Sequence, residues 1–229
     1  MPRTIEVYLE AAKRRTFACA YEWPGWCRSG RDEDAALEAL AAYGARYRAA
    51  IGPRRFGFTA PSDRSSLEVV ERLAGNATTD FGAPAVEPAR DHRPVKGSEA
   101  KRLVEVLAAC WAMFDRAAKA ASGVELRKGP RGGGRALDAI VDHLVGADEA
   151  YLRSLGGRYR RPDAADQRAA IEGVRRAILA EFRSQARGEP PSRTPRSGTL
   201  WTPRYAVRRM AWHALDHAWE IEDRASGPR

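Results

Sequence analysis

The chain is short of histidine, cysteine and lysine, and it has no long apolar run. Its 229 residues include four histidines and three cysteines. No apolar stretch reaches the roughly 18 to 20 residues that a membrane span requires. Residues 1–21 interleave charged and apolar positions and lack the unbroken apolar core of a signal peptide. Both absences point to a cytoplasmic protein with no membrane partner. The cysteines, Cys19, Cys27 and Cys110, are odd in number, and no CxxC pair occurs among them. This usage reads as reduced thiols rather than a disulfide framework.

Lysine is confined to Lys13, Lys96, Lys101, Lys119 and Lys128, so arginine carries nearly all of the positive side of a net charge of +9. A basic balance can mean nucleic acid or an anionic substrate. Here the arginines are spread along the chain and form no single run. That favours a compositional origin, with nucleic acid not expected as a partner. The hydrophobic fraction of 44% and the charged fraction of 30% are those of an ordinary globular protein. The length allows one large domain or two modest ones.

Thr4 to Ala11 alternates as a strand, with Ile5, Val7 and Leu9 on one face. Arg14 to Trp23 reads as a second strand joined to the first by a hairpin, and Pro24-Gly25 ends it. Asp32, Glu33 and Asp34 open a helix that runs to Gly52-Pro53. Phe56–Thr59 and Leu67–Leu73 are candidate short strands. From Ser98 onward the period becomes helical. Four amphipathic helices are expected: Ser98, as the cap, to about Ala121; Arg135 to Leu155; Ala164 to Arg187; and Pro203 to Arg224. A glycine- and arginine-rich loop, 128–134, and a proline-containing loop, 188–198, separate them. The domain boundary is placed between 96 and 97.

The histidines are His92, His143, His213 and His217. His213 and His217 are four apart, which puts both imidazoles on one face of the last helix, one turn apart. Ala206, Met210 and Ile221 continue that face, so it points inward. His143 follows Ile140 by three and borders the inner face of its own helix. A buried imidazole without a partner costs roughly 1–3 kcal/mol, and a shared metal ion meets that cost. Three protein ligands with one open position is the usual arrangement of catalytic zinc, and imidazole also suits nickel, copper and iron. The alternative is core histidines bonded to carbonyls or carboxylates. Glu220, three residues beyond His217, is the candidate base or supporting partner of the site, with a solvated or ion-paired residue as its alternative. His92 lies in a loop and reads as exposed. Arg208 and Arg209 read first as surface charge, and second as groups to hold an anionic substrate.

Asp142-His143-Leu144 on the second helix and His213-Ala214-Leu215-Asp216-His217 on the fourth resemble the DinB/YfiT-like family. Those proteins are four-helix bundles with one histidine in the second helix and an HxxxH pair in the last. The resemblance covers roughly 98–225. It implies a divalent metal ion, zinc or nickel first and iron next, held by His143, His213 and His217. It also implies a small-molecule substrate and thiol chemistry, for instance with mycothiol or bacillithiol. The acidic turn Ala218-Trp219-Glu220-Ile221-Glu222-Asp223-Arg224 departs from the basic, glycine-containing segment of many members.

Residues 15–30 followed by 34–40 resemble a HicB-type module, in which a Pro-Gly turn between strands precedes an acidic helix start. The resemblance implies a partner-binding unit or a homodimer contact. Cys27, between Trp26 and Arg28, is either a reactive thiol or a buried small residue. The expectation is an α+β protein: a small sheet-and-helix module over 1–96, then a DinB-like up-down four-helix bundle over 97–229. Its expected function is that of a metal-dependent transferase or isomerase. A regulatory protein with a structural metal is the competing function.

Overall fold

The computed structural model describes residues 4–52, 55–128, 134–163, 166–193 and 199–225. Parts of the expected loops therefore lie outside the described residues: 129–133 of the glycine- and arginine-rich loop, Pro195 of the later loop, Pro53, and the expected helix start at Ala164. The chain divides into two compact units, Met1–His92 and Arg93–Arg229. The protein is α+β, a small sheet followed by long helices. No helix among the described residues is long and apolar enough to cross a membrane.

The first unit holds a four-stranded sheet in the order β3 (Cys27–Gly30), β2 (Thr16–Ala20), β1 (Ile5–Ala11), β4 (Leu67–Ala74). Strand β1 pairs antiparallel with β2 and parallel with β4. β1 is central in the sheet and buried on both faces, with Val7, Tyr8, Leu9 and Glu10 all buried. The buried Glu10 carboxylate accepts hydrogen bonds from the Thr79 hydroxyl and from the backbone N–H groups of Ala85 and Val86. These bonds meet the cost of burying a charge.

Three expectations for this unit are corrected. A short strand β3 (Cys27–Gly30) follows the Pro24-Gly25 turn and pairs with β2, setting Cys27 opposite Cys19. The two cysteines form a disulfide, so the reading of three reduced thiols fails for this pair, and Cys27 is buried and oxidised rather than reactive. β3 is four residues long, too short for its alternation to reveal the juxtaposition in the sequence. The single expected helix is two, α1 (Glu33–Ala42) and α2 (Gly44–Ile51), parted at Tyr43. Gly44 follows the break, and a Cβ there would meet Pro61 at 2.8 Å, so the close approach of that loop needs glycine. Phe56–Thr59 is loop, not strand. Phe58 instead inserts its ring edge-on between Trp26 and Tyr47, at 4.9 and 5.0 Å. A one-turn helix, α3 (Ala77–Phe81), is fixed by a capping box between Asn76 and Thr79.

The second unit is a bundle of four helices: α4 (Gly97–Ala120), α5 (Leu137–Leu155), α6 (Gln167–Ala186) and α7 (Pro203–Ala225). Ser98 lies inside α4 rather than capping it. The cap position is Lys96, which makes no side-chain capping bond. Pro203 is the first residue of α7, where its missing N–H costs nothing.

Polar contacts give the helix directions. Arg204 near the start of α7 binds Glu99 near the start of α4 at 2.7 Å, so these helices run parallel. Gln167 bonds Asp142 while Gln185 bonds the Leu155 carbonyl, so α5 and α6 also run parallel. Trp201, just before α7, donates its backbone N–H to Ser154 near the end of α5, so α5 and α7 are antiparallel. The order is thus up, down, down, up, in place of the alternating up-down order expected. The segment 156–163 turns back along α5, with Arg161 bonded to Glu149 at 3.0 Å.

Candidate metal centre

Helix α7 is buried over most of its circumference, because α4 and α5 both pack on it. Its 3.6-residue period places Ala206, Met210, His213, His217 and Ile221 inward, and all five are buried. The antiparallel run of α5 brings His143, in its second turn, level with the later turns of α7. The structure thus joins the three histidines expected to meet. His213 Nε2 is 3.3 Å from His143 Nε2 and 3.1 Å from His217 Nε2. His143 and His217 have ring centroids 5.1 Å apart and nearly perpendicular planes. Among the described residues, His143, His213 and His217 are the members of this potential metal-holding cluster.

The three residues fit a metal ion. Metal–nitrogen bonds near 2.0–2.1 Å in a tetrahedral site set neighbouring ligand nitrogens about 3.3 Å apart, close to both separations found here. Hydrogen bonding alone serves the arrangement poorly. A neutral imidazole carries one N–H, and an N–H on His213 Nε2 can point at only one of its two neighbours.

The outer partner of His217 fixes its tautomer. Glu220 Oε2 lies 2.7 Å from His217 Nδ1, so that nitrogen is the donor, which in the neutral ring leaves the lone pair on Nε2, facing the cluster. Glu220 Oε1 accepts from Arg224 at 2.7 Å, and Arg224 also donates to the Arg135 carbonyl at 2.8 Å. The hydrogen bond to His217, first, and then Arg224 hold the Glu220 carboxyl below its ordinary range despite partial burial. Burial, followed by the neighbouring His217 and His143, pushes His213 well below the usual imidazole range. Burial, then Arg135, lowers His143. Neutral imidazole is the form that can ligate a metal.

A family model described as the DinB superfamily matches residues 106–221, just over half of the 229 residues. The chain belongs to the DinB superfamily. Compared with curated proteins and with solved structures, it gives no match. The DinB match spans His143, His213, His217 and Glu220 and stops three residues short of Arg224. It does not reach the sheet unit, and no comparison supports the HicB resemblance.

Other candidates fall elsewhere in the DinB chain. His92 is exposed and outside the cluster. Arg208 and Arg209 are not surface charges, with only 7% and 9% of their area exposed. The Arg209 guanidinium lies over the rings of Trp212 and Tyr151, at 4.8 and 5.5 Å. Tyr151 of α5 sets its ring edge-on to His213 at 5.6 Å. Arg224 joins the site through Glu220. Its i, i+4 relation to Glu220 is the signal that finds it.

Proposed function

We propose that this chain is a metal-dependent enzyme of the DinB superfamily. In this reading His143, His213 and His217 hold a divalent ion, zinc or nickel first and iron next. The substrate is a small molecule, and the reaction is a transfer or isomerisation that uses a low-molecular-weight thiol such as mycothiol, or another nucleophile activated at the metal. The observation that carries the reading is the convergence of three imidazole nitrogens from two antiparallel helices, at separations of 3.1 and 3.3 Å.

A bound ion supplies acidity to a thiol or water in its open position, making a nucleophile available at neutral pH. The chain's own groups do the rest. Glu220 accepts the Nδ1 proton of His217 and turns its ring so that Nε2 faces the cluster. Arg224 holds Glu220 from the far side. With one oxygen on His217 and the other on Arg224, Glu220 acts as a positioning residue rather than as a base. His143 is the most exposed of the three histidines, so its side of the cluster is where a substrate enters. Glu220 is turned to the outer nitrogen of His217. Three protein ligands with an open position favour catalysis over a sealed structural site.

Metal analysis of purified protein beside the His213→Ala variant tests the proposal. The expected result is close to one equivalent of zinc, nickel or iron per chain in the wild type and little in the variant. Equal metal content in the two proteins removes the reading. Loss of a metal-supported thiol-transfer activity on chelation, with recovery on reloading, tests the reaction class.

A further inference from the structure

We propose that Arg209 anchors a carboxylate on the substrate of this centre. The reading of the histidines as a metal site enters only in making that carboxylate part of a substrate. Arg209 stands four residues before His213 on α7, one turn away on the same side of the helix. It is nine-tenths buried, and its Nη1 has no hydrogen-bond partner among the described residues. A guanidinium is charged at every relevant pH. Removing it from water without a counter-charge is unfavourable, and aromatic faces offset only part of that cost.

Its surroundings link the cation to the histidine cluster. The guanidinium is flanked by Trp212 and Tyr151. Both rings also neighbour His213, with centroids at 6.0 and 5.6 Å. Trp201 extends this wall, 5.2 Å from Tyr151, and both of these rings are partly exposed. The result is a buried planar cation beside the ligand cluster, framed by aromatic faces that open to solvent at one edge. A carboxylate on a flat apolar body satisfies both parts: its oxygens face the guanidinium fork and its body lies on the rings.

The test compares benzoate with its uncharged isostere benzamide by calorimetric titration. Each is titrated into metal-loaded and metal-free wild type, Arg209→Gln and Arg209→Lys, with the metal content of each protein measured. The wild type is expected to prefer benzoate by at least about tenfold, the worth of one charge-assisted hydrogen bond, with or without metal. Arg209→Gln is expected to lose that preference at unchanged metal content. Arg209→Lys, which keeps the charge but not the planar fork, is expected to fall between them. No preference in the wild type, or a full preference surviving in Arg209→Gln, overturns the proposal. A preference seen only with metal and untouched by Arg209→Gln assigns benzoate to the ion and overturns it too. If near-ultraviolet circular dichroism shows Arg209→Gln unfolded, a wild-type preference in Arg209→Lys is the overturning result. A wild type that takes up no metal sinks the metal reading, while the metal-free titration still decides Arg209.

Discussion

The Glu220 carboxylate grips the outer nitrogen of His217 at 2.7 Å, on the side of the ring away from the other two histidines. The contact sets both the tautomer of His217 and the direction of its free lone pair. In the proposed metal site, its removal is expected to register as metal affinity. Outer partners of ligating histidines are typically worth 10–100-fold in affinity, so Glu220→Ala is expected to weaken binding by about that factor. Glu220→Gln, whose carbonyl can still accept the proton, is expected to lose less. Competition against a chromophoric chelator measures both, and unchanged affinity in Glu220→Ala refutes the assignment.

Metal removal is expected to lower thermal stability. A ligand that binds only the folded state stabilises it by about 2.7 kcal/mol when present at a hundred times its dissociation constant. Calorimetry with and without chelator should therefore show a lower Tm for the stripped protein. His213→Ala should melt at one temperature in both conditions. A wild type indifferent to the chelator would falsify the linkage.

Asp148, on α5, supplies a pH dependence unrelated to the metal ligands. It is buried, its Oδ1 has no hydrogen-bond partner among the described residues, and burial pushes its carboxyl from the ordinary 3.8 up to about 7, against the opposing pull of Arg175. A carboxyl whose folded pKa is raised binds its proton more tightly in the folded state. Its penalty is absent below the unfolded value and grows as pH rises toward 7. Stability is thus expected to fall between about pH 4 and 7. Asp148→Asn is expected to flatten that slope and to melt higher than wild type at pH 8. Parallel denaturation curves for the two proteins across this range would exclude the effect.

Thiol counting tests the cysteine assignment. With Cys19 and Cys27 bonded and Cys110 free but buried, one thiol per chain should react in guanidinium without reductant. None should react quickly in the native protein, because burial raises the Cys110 thiol and shields it. Reduction before denaturation should raise the count to three. Three reactive thiols without reductant are incompatible with the disulfide.

The bundle and its histidines were legible because their signals are periodic and local. The 3.6-residue stripe of α7 carried His213 and His217 inward, and a second stripe placed His143 beside Ile140. Two kinds of information were not local. The sheet pairing that sets Cys27 opposite Cys19 depends on a four-residue strand too short to show alternation. The burial of Arg208 and Arg209 depends on neighbours packing around α7 on several sides. An amphipathic reading assigns such charges to water, and only the packing shows that aromatic rings cover Arg209 instead. The α1–α2 break had a signal in Gly44, but the reason for it, a proline seventeen positions away, lay outside any local window.

His143 and His213 stand 70 residues apart in sequence, with the whole of α6 and both its connections between them. A tie between these two side chains closes a long loop, whereas one between His213 and His217 spans a single turn that the helix already fixes. Loop closure removes more freedom from the unfolded chain as the enclosed segment lengthens. An ion shared by the three rings would therefore act as a reversible clasp across the α6 region, and a chain carrying it would be topologically shorter than one without it.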